Sequence, residues 1–214
     1  IKNCSSILEN ESFEVILVNN GSDDNSFDII KKNQKSFINL QLVNLEHNQG
    51  YGGGIMMGLN AAKGDIIGWT HADNQTDPDD FSKAVSIFEN DHNINFVKGV
   101  RYGRSLFDRF FSFGMGVFET ILLRTYLYEI NAQPTVFKKS FMDNNLTDTP
   151  DDFSLDLYTY FIAKKNNLKI HRFKVYFGPR LHGTSKWNLG WKSKVKFIKR
   201  TINFSLHLRR NTLK

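Results

Sequence analysis

Cysteine, proline and long apolar runs are scarce in this chain of 214 residues. Its single cysteine, Cys4, excludes a disulfide framework within the chain and a zinc site built from several cysteines. Four prolines and 15 glycines are too few for a fibrous or low-complexity protein. No apolar run approaches the roughly 20 residues that a membrane-spanning helix needs. With 40% hydrophobic residues, the composition is that of an ordinary globular domain.

Acidic residues are missing from one part of the chain. Residues 157–214 contain 15 lysines and arginines and no aspartate or glutamate, whereas residues 1–156 contain all 22 acidic residues and 13 basic ones. A segment of this kind is typical of a surface that meets an anion, or of a solvated basic face. Because it contains no recognisable nucleic-acid-binding module, phosphate groups or a membrane surface are favoured over nucleic acid.

Short runs rich in β-branched residues alternate with helical patterns. The runs predict strands at 13–18, 40–45, 65–70, 95–100 and 169–177. The helical patterns follow the first loop and the Asp77-Pro78 pair, and also cover 54–62, 106–126, 152–165 and 189–209. Such alternation predicts one α/β domain with a parallel sheet.

Three polar clusters, at 19–24, 46–54 and 71–77, come directly after predicted strands. In an open parallel sheet, ligands bind beyond the carboxyl ends of the strands. Glycines in the second cluster would let the backbone approach a ligand closely, although they match neither the Walker phosphate loop nor the dinucleotide fingerprint. In the third cluster, Asp73 and Gln75 could converge on a hard cation such as Mg²⁺, which prefers oxygen ligands.

A series of short motifs has a recognisable order. In chain order they are VNNGSDD at 18–24, NQGYG at 48–52, AKGDII at 62–67, HADNQ at 71–75, KGVR at 98–101, INAQP at 130–134 and RLHGTSK at 180–186. Together they resemble the motifs of inverting glycosyltransferases of family 2, which have the GT-A fold. The last three resemble the branch that transfers sugars to polyprenyl phosphates.

The resemblance implies an α/β fold of the GT-A type, with a Rossmann-like mixed and mainly parallel sheet flanked by helices. It places a catalytic domain at 1–188 and a basic amphipathic helix at 189–214, with the family's first strand expected before Ile1. The implied activity is transfer of a sugar from a nucleotide-diphosphate-sugar to a polyprenyl phosphate, with inversion, at the cytoplasmic face of a membrane. Two alternatives stay open: transfer to a glycan hydroxyl, and a catalytically weak module that binds nucleotide-sugars or anionic lipid.

The resemblance also implies the residues of the site. The nucleotide-sugar would contact Asn20, Gly21, Ser22, Asn48, Gly50, His71 and Asp73. A divalent metal, Mg²⁺ or Mn²⁺, would link the diphosphate to Asp73 and Gln75. Phosphate groups would be bound by Arg101, Arg104, Arg180, Ser185 and Lys186. For Arg101 and Arg104 the alternative is a surface pair without a ligand.

A carboxylate base is required only if the acceptor is a hydroxyl, because a lipid phosphate is already ionised. Asp151 and Asp152 are the first candidates for this role, and Glu129 is the second. The alternative role of Asp151 and Asp152 is to cap the helix that follows them.

Two positions depart from the family's pattern. Asn19 and Asn20 stand where relatives usually carry two aspartates, and His71 replaces the first carboxylate of an Asp-Ala-Asp motif. Asparagine can still hydrogen-bond a nucleobase, but with a different pattern of donors and acceptors. The histidine leaves the metal requirement open, and the alternative to a contact with ribose or metal is a packing role for His71.

Two apolar groups, one in the tail and one made of phenylalanines, are relevant to whether the acceptor is a lipid. An apolar stripe consists of Trp191, Val195, Ile198, Ile202 and Leu206, interleaved with lysines and arginines. Such a helix either lies in a membrane interface or packs its stripe on the domain. A second apolar group consists of Phe107, Phe110, Phe111, Phe113 and Phe118. Core packing is predicted for this group, with any exposed part available to a prenyl chain.

Overall fold

The computed structural model describes residues 13–73, 75–178 and 191–212, with the backbone alone at 191–194, 196 and 197. Three predicted phosphate-binding residues, Arg180, Ser185 and Lys186, lie outside these ranges. The predicted boundary between residues 188 and 189 also lies outside them, so the division into a catalytic domain and a tail helix stays a prediction.

The described strands form two sheets. The strands are β1 (Val15–Asn20), β2 (Leu40–Leu45), β3 (Ile66–Trp69), β4 (Phe96–Tyr102), β5 (Thr135–Lys138) and β6 (Ile170–Tyr176). Strands β1 and β2 pair in parallel, and the other four follow the order β3-β5-β4-β6. Strands β4 and β6 are parallel, whereas β5 runs antiparallel to both β3 and β4.

Helices flank these strands. They are α1 (Ser26–Gln34), α2 (Gly50–Ala61), α3 (Asp79–Asn90), α4 (Leu106–Leu123), α5 (Lys139–Asn145), α6 (Ser154–Lys165) and α7 (Trp191–Thr212). The mixed α/β architecture with flanking helices is therefore as predicted, but the described strands form two sheets in which two pairs are parallel and two antiparallel, so the expected predominance of parallel pairing is wrong. Strand β5 and helix α5 were not predicted, because the strand is only four residues long and passes into the helix without a turn signal.

Helix α2 begins at Gly50, four residues before the predicted start at 54. A run of glycines is a poor helix former, so the pattern indicates a loop there. Tertiary contact overrides this preference, since the first-turn N–H groups of Gly52 and Gly53 both donate to Asp151 O, at 2.7 and 3.1 Å. Helix α4 ends three residues earlier than predicted, because Arg124 adopts a left-handed conformation with φ 51°.

Alternation along the strands divides the core into two layers. Phe96 on β4 and Phe137 on β5 pack in the larger layer, with Phe161 of α6. Their neighbours Val97 and Val136 point to the opposite face and pack against α3. Both faces of the four-stranded sheet are thereby covered, which leaves the strand ends and their loops as the place for a site.

Helix α7 packs on the domain through a different face from the stripe read in the sequence. Ser205 and Leu208 are buried, and Ser205 Oγ donates to Glu119 Oε1 of α4 at 2.8 Å. Val195, Ile198 and Leu206, which belong to the predicted stripe, are 59%, 39% and 39% exposed. Three stripe residues therefore face outward on the described part of α7, while Ile202 is half-buried.

The phenylalanine cluster of α4 also differs from its prediction. Phe107, Phe110, Phe113 and Phe118 are exposed, so the expectation of core packing is wrong for these four. Helix α4 buries its opposite side instead, through Gly116, Glu119 and Leu123. Among the described residues, no helix is long and apolar enough to cross a membrane.

Glu119 makes the stability of the fold sensitive to pH. Burial raises the pKa of Glu119 from 4.5 to about 7, although the hydrogen bond from Ser205 opposes the shift. The folded chain therefore binds more protons than the unfolded chain between these values. The contribution of Glu119 to the free energy of unfolding is complete below pH 4.5 and is lost as the pH rises through 7.

We expect Glu119→Gln to remove this dependence. Between pH 4.5 and 8 the free energy of unfolding of the wild type should fall by about 3 kcal/mol relative to the variant. Urea unfolding at several pH values measures the difference. Glu89→Gln, at an exposed glutamate, should follow the wild type. Identical pH dependence in wild type and Glu119→Gln would contradict the assignment.

Candidate functional site

The loops that follow β1 and β2 are joined to each other by Asn20. Its Oδ1 accepts a hydrogen bond from Gln49 N at 2.8 Å, and its Nδ2 donates to Gly50 O at 2.7 Å. Gly21 adopts φ 63°, and a Cβ there would overlap the backbone of Asn48. The structure thus brings Asn20, Gly21, Asn48 and Gly50 together, with the exposed Ser22 beside them. Whether they contact a nucleotide stays a prediction.

The glycines at the start of α2 admit protein backbone. A Cβ at Gly50 would overlap Asp151 O, and one at Gly52 would overlap Pro150 O. The segment 150–152 therefore lies directly against the first turn of α2. Close approach was expected from the glycines, but the sequence indicated a ligand as the approaching group, and the structure shows a neighbouring segment of the chain there.

A buried polar network lies behind this contact. Tyr51 donates its hydroxyl hydrogen to Asp156 Oδ2 at 2.9 Å, and Gln133 Nε2 donates to the Tyr51 oxygen at 2.6 Å. Lys98 Nζ donates to Thr135 Oγ1 at 2.8 Å and lies 3.6 Å from Asp156 Oδ1. The network joins α2, β4, β5 and α6.

Burial sets the protonation of two members of this network. It lowers the pKa of Lys98 from 10.5 to about 8, although Asp156 favours the charged form. Burial also raises the pKa of Tyr51 well above its usual value, and the negative charge of Asp156 acts in the same direction. Tyr51 is therefore a neutral hydroxyl that donates to the carboxylate.

Sequence reasoning assigned no role to Tyr51, Lys98, Gln133 or Asp156. A lysine inside the apolar strand sequence FVKGV was the available signal, because a lysine is almost never fully buried without a partner. Its carboxylate partner is 58 residues away in the sequence, at the first turn of α6. Pattern alone could not have paired the two.

The residues after β3 lie beside Tyr51 and are attached to the end of β6. The rings of Tyr51 and His71 are 5.8 Å apart, and Tyr51 also stacks on Phe153 at 4.3 Å. Asp73 Oδ1 accepts a hydrogen bond from Gln75 N at 3.2 Å. Gln75 Nε2 donates to Gly178 O at 3.1 Å, and Gly178 N donates to Gln75 O at 2.9 Å.

The side-chain oxygens of Asp73 and Gln75 suit a divalent cation that takes only some of its ligands from the protein. Asp73 offers a carboxylate oxygen and Gln75 an amide oxygen as possible ligand atoms, while the side-chain nitrogen of Gln75 donates to Gly178 O. In the part of the chain that the structure describes, no group of three or more His, Cys, Asp or Glu could hold a metal alone. A metal here would need phosphate oxygens and water as further ligands.

Arg101 and Arg104 are held together by Glu129. Arg101 Nε lies 2.8 Å from Glu129 Oε2, while Arg104 Nη2 pairs with Glu129 Oε1. Arg104 Nη1 also donates to Ser112 Oγ at 2.8 Å. Burial lowers the pKa of Arg104, and Arg101 acts in the same direction. The two predicted phosphate-binding residues do lie together, but partly buried and already paired with one carboxylate.

An open groove of about 650 Å³ runs from these arginines along α4. Its polar lining includes Arg109, which sequence reasoning did not single out. Its apolar lining includes Leu106, Phe110, Phe113 and Ile121, all of them exposed. The groove combines guanidinium groups with an uncovered apolar wall.

The two candidate bases after Pro150 are engaged differently. Asp151 uses its backbone oxygen to hold the start of α2. Asp152 Oδ1 accepts a hydrogen bond from Ser154 N at 2.7 Å, where α6 begins, and its Oδ2 lies 2.7 Å from Arg200 Nε. The contact with Ser154 agrees with the helix-start role that was the alternative for Asp152; a role as base stays untested.

Two solved structures show which fold class these elements form. Glucosyl-3-phosphoglycerate synthase from Mycobacterium tuberculosis, in complex with Mn²⁺ and uridine-diphosphate-glucose, has a TM-score of 0.67 and 15% identity, covering 95% of this chain and 71% of that one. A mannosyltransferase from Pyrobaculum calidifontis, in complex with GDP-Man and Mn²⁺, has a TM-score of 0.60 and 18% identity, covering 91% of this chain and 55% of that one. The predicted GT-A glycosyltransferase fold is thereby confirmed.

Sequence comparison identifies the family. The model described as "Glycosyl transferase family 2" matches residues 2–155, which is more than half of the chain. The chain belongs to glycosyl transferase family 2.

Two curated relatives are undecaprenyl-phosphate 4-deoxy-4-formamido-L-arabinose transferases. The protein from Pseudomonas savastanoi is 31% identical over 86 residues, covering 40% of this chain and 26% of the relative. The protein from Yersinia enterocolitica is 33% identical over 90 residues, covering 41% of this chain and 27% of the relative. The chain thus matches about a quarter of the length of these relatives.

The close approach of segment 150–152 to α2 can be tested with a single methyl group. Gly52→Ala should lower the free energy of unfolding by about 1–3 kcal/mol, because the added methyl overlaps the backbone oxygens of Pro150 and Asp152. Gly114→Ala is the matched control, since a Cβ there meets nothing within 4 Å, and it should stabilise the chain by about 0.5–1 kcal/mol. Urea denaturation measures both. Equal stability of the two variants would contradict the described contact.

Proposed function

We propose that this chain is a glycosyltransferase that moves a sugar from a nucleotide-diphosphate-sugar to a polyprenyl phosphate, with inversion at the anomeric carbon. The groove along α4 is the observation that supports a polyprenyl phosphate as the acceptor. Its arginines suit a phosphate, and its exposed apolar wall suits a prenyl chain. The names of the two curated relatives, both undecaprenyl-phosphate transferases, support the same acceptor class.

The donor would bind where the loops after β1, β2 and β3 converge. Asn20 joins the loops after β1 and β2, and its amide keeps one hydrogen and one acceptor site for a nucleobase. His71 and Asp73 follow β3 and would face the sugar and the diphosphate. The complexes of structurally similar enzymes with uridine-diphosphate-glucose and GDP-Man support a donor of this class.

Asp73 and the amide oxygen of Gln75 would hold Mg²⁺ or Mn²⁺ together with the diphosphate. A bound cation would neutralise charge on the departing nucleoside diphosphate. Mn²⁺ in the complexes of the two similar structures supports a divalent metal.

The engagement of two candidate bases, Glu129 and Asp152, favours a phosphate acceptor over a hydroxyl. Glu129 is paired with two guanidinium groups, and both oxygens of Asp152 have partners. A carboxylate must leave such partners before it can take a proton. An ionised phosphate needs no base, so this arrangement is compatible with turnover as it stands. Arg101, Arg104 and Arg109 would attract the phosphate, and Arg180, Ser185 and Lys186 stay candidates for the same role.

The acceptor class also implies where the protein works. The exposed apolar residues of α4 and α7 support peripheral binding to the membrane that holds the lipid, and we expect the cytoplasmic face. In this proposal residues 1–188 form the catalytic domain and 189–214 the basic helix beside the membrane.

Metal binding by Asp73 is tested by nucleotide affinity. We expect Asp73→Asn to weaken the binding of UDP and GDP at least 10-fold when Mn²⁺ is present, because a carboxylate ligand becomes a neutral amide. Calorimetry with and without Mn²⁺ measures this, and without Mn²⁺ the variant should equal the wild type. Asp65→Asn, at an exposed aspartate, is the control. An unchanged Mn²⁺ effect in Asp73→Asn would count against the metal site.

The acceptor assignment is tested by transfer of a radiolabelled sugar. Phe113→Asn should raise the KM for polyprenyl phosphate about 10-fold or more, since it places a polar group in the apolar wall of the groove. Ile38→Asn, at a fully exposed isoleucine outside the groove, should leave it unchanged. Transfer by the wild type to glycan acceptors alone would overturn the proposed acceptor and favour the alternative in which Asp152 or Asp151 is the base.

A further inference from the structure

The acid-free tail reaches back to the candidate site through one ion pair. Arg200 Nε, on α7, lies 2.7 Å from Asp152 Oδ2. The side chain of Arg200 is 43% exposed, and that of Asp152 is 17% exposed. Arg200 also lies 6.0 Å from the centre of the Phe153 ring. Two neighbouring residues of segment 150–153 are thus in contact with the tail helix.

The same segment touches the candidate donor site on its other side. Asp151 O accepts hydrogen bonds from the first turn of α2, and Phe153 stacks on Tyr51. Tyr51 is in turn the neighbour of His71. A continuous series of contacts therefore runs from Arg200 through Phe153 and Tyr51 to the residues that follow β3.

Attachment of α7 does not depend on Arg200. The buried Leu208, the hydrogen bond between Ser205 and Glu119, and the bond from Lys165 Nζ to Thr212 O already hold the helix on α4 and α6. A half-exposed ion pair adds little to stability. Its geometric effect can be much larger, because a displacement of about 1 Å in an active site can cost on the order of 100-fold in rate.

We propose that Arg200 is a positioning residue that fixes Asp152 and segment 150–153 against the donor site. The basic tail helix is then a working part of the active site as well as a candidate membrane-facing surface. The inference rests on the proposed function, since turnover is its readout.

The test uses the full-length protein and sugar transfer to polyprenyl phosphate. Arg200→Gln should lower kcat 10- to 100-fold, while the affinity for UDP and GDP with Mn²⁺ stays within about 3-fold. Arg200→Lys should recover part of kcat, because it keeps the charge but loses the planar guanidinium. Lys83→Gln is the matched control, since Lys83 is an exposed cation paired with the buried Asp80 at 2.9 Å on α3 and, among the described residues, forms no hydrogen bond or ion pair with segment 150–153.

A double variant shows whether Arg200 acts through Asp152. If it does, Arg200→Gln should cause no further loss of kcat in an Asp152→Asn background. Additive losses would overturn the inference, and so would an Arg200→Gln variant as active as Lys83→Gln. A melting temperature lowered by more than about 5 °C in both Arg200→Gln and Arg200→Lys would also overturn it, because the role would then be structural. These outcomes leave the proposed function intact, whereas a wild type that transfers to no acceptor defeats both.

Discussion

The buried ammonium group of Lys98 constrains the arrangement around the candidate site. A buried charge is tolerated only where polar partners surround it. For Lys98 these partners are Asp156, supplied by α6, and Thr135, supplied by β5. The carboxylate of Asp156 in turn takes the hydroxyl of Tyr51, which fixes the start of α2. One lysine in the central strand therefore sets the relative positions of elements that are distant in the sequence. The contact between segment 150–152 and the glycines of α2 lies directly beside this network, because Tyr51 stands between Gly50 and Gly52.

The glycines at the start of α2 make room for protein backbone, whereas their motif indicates close approach of a ligand. Gly50 and Gly52 make room for the backbone of Pro150 to Asp152, and the N–H groups of the first helical turn are satisfied by a carbonyl. A helix start used in this way has fewer N–H groups to offer a phosphate. Binding of a diphosphate would therefore depend more on cations, whether a metal at Asp73 or arginines, than on the backbone of α2.

Local pattern predicted those parts of the fold that depend on nearby residues. The strands at 40–45 and 95–100 and the polar clusters behind the strands carry their signal within a few residues. Strand β5 was missed because its stability comes from pairing on both sides with β3 and β4. The pairing of Arg101 and Arg104 with Glu129, and of Lys98 with Asp156, depends on chain topology that no spacing reveals. The outward stripe of α7 was ambiguous for a related reason, since periodicity identifies an apolar face but not what covers it. Whether the predicted residues bind a nucleotide or a metal is a matter of ligand chemistry and stays a prediction.

The groove along α4 is a trough with one side open, as the exposure of Leu106, Phe110, Phe113 and Ile121 shows. If a prenyl chain lies in it, only the units next to the phosphate can touch the protein, and the rest extends past the end of the helix. Such a site would not select a lipid by the length of its prenyl chain, whereas a closed tunnel would limit the length that fits. An enzyme of this shape would select its lipid by head group and accept long and short chains alike.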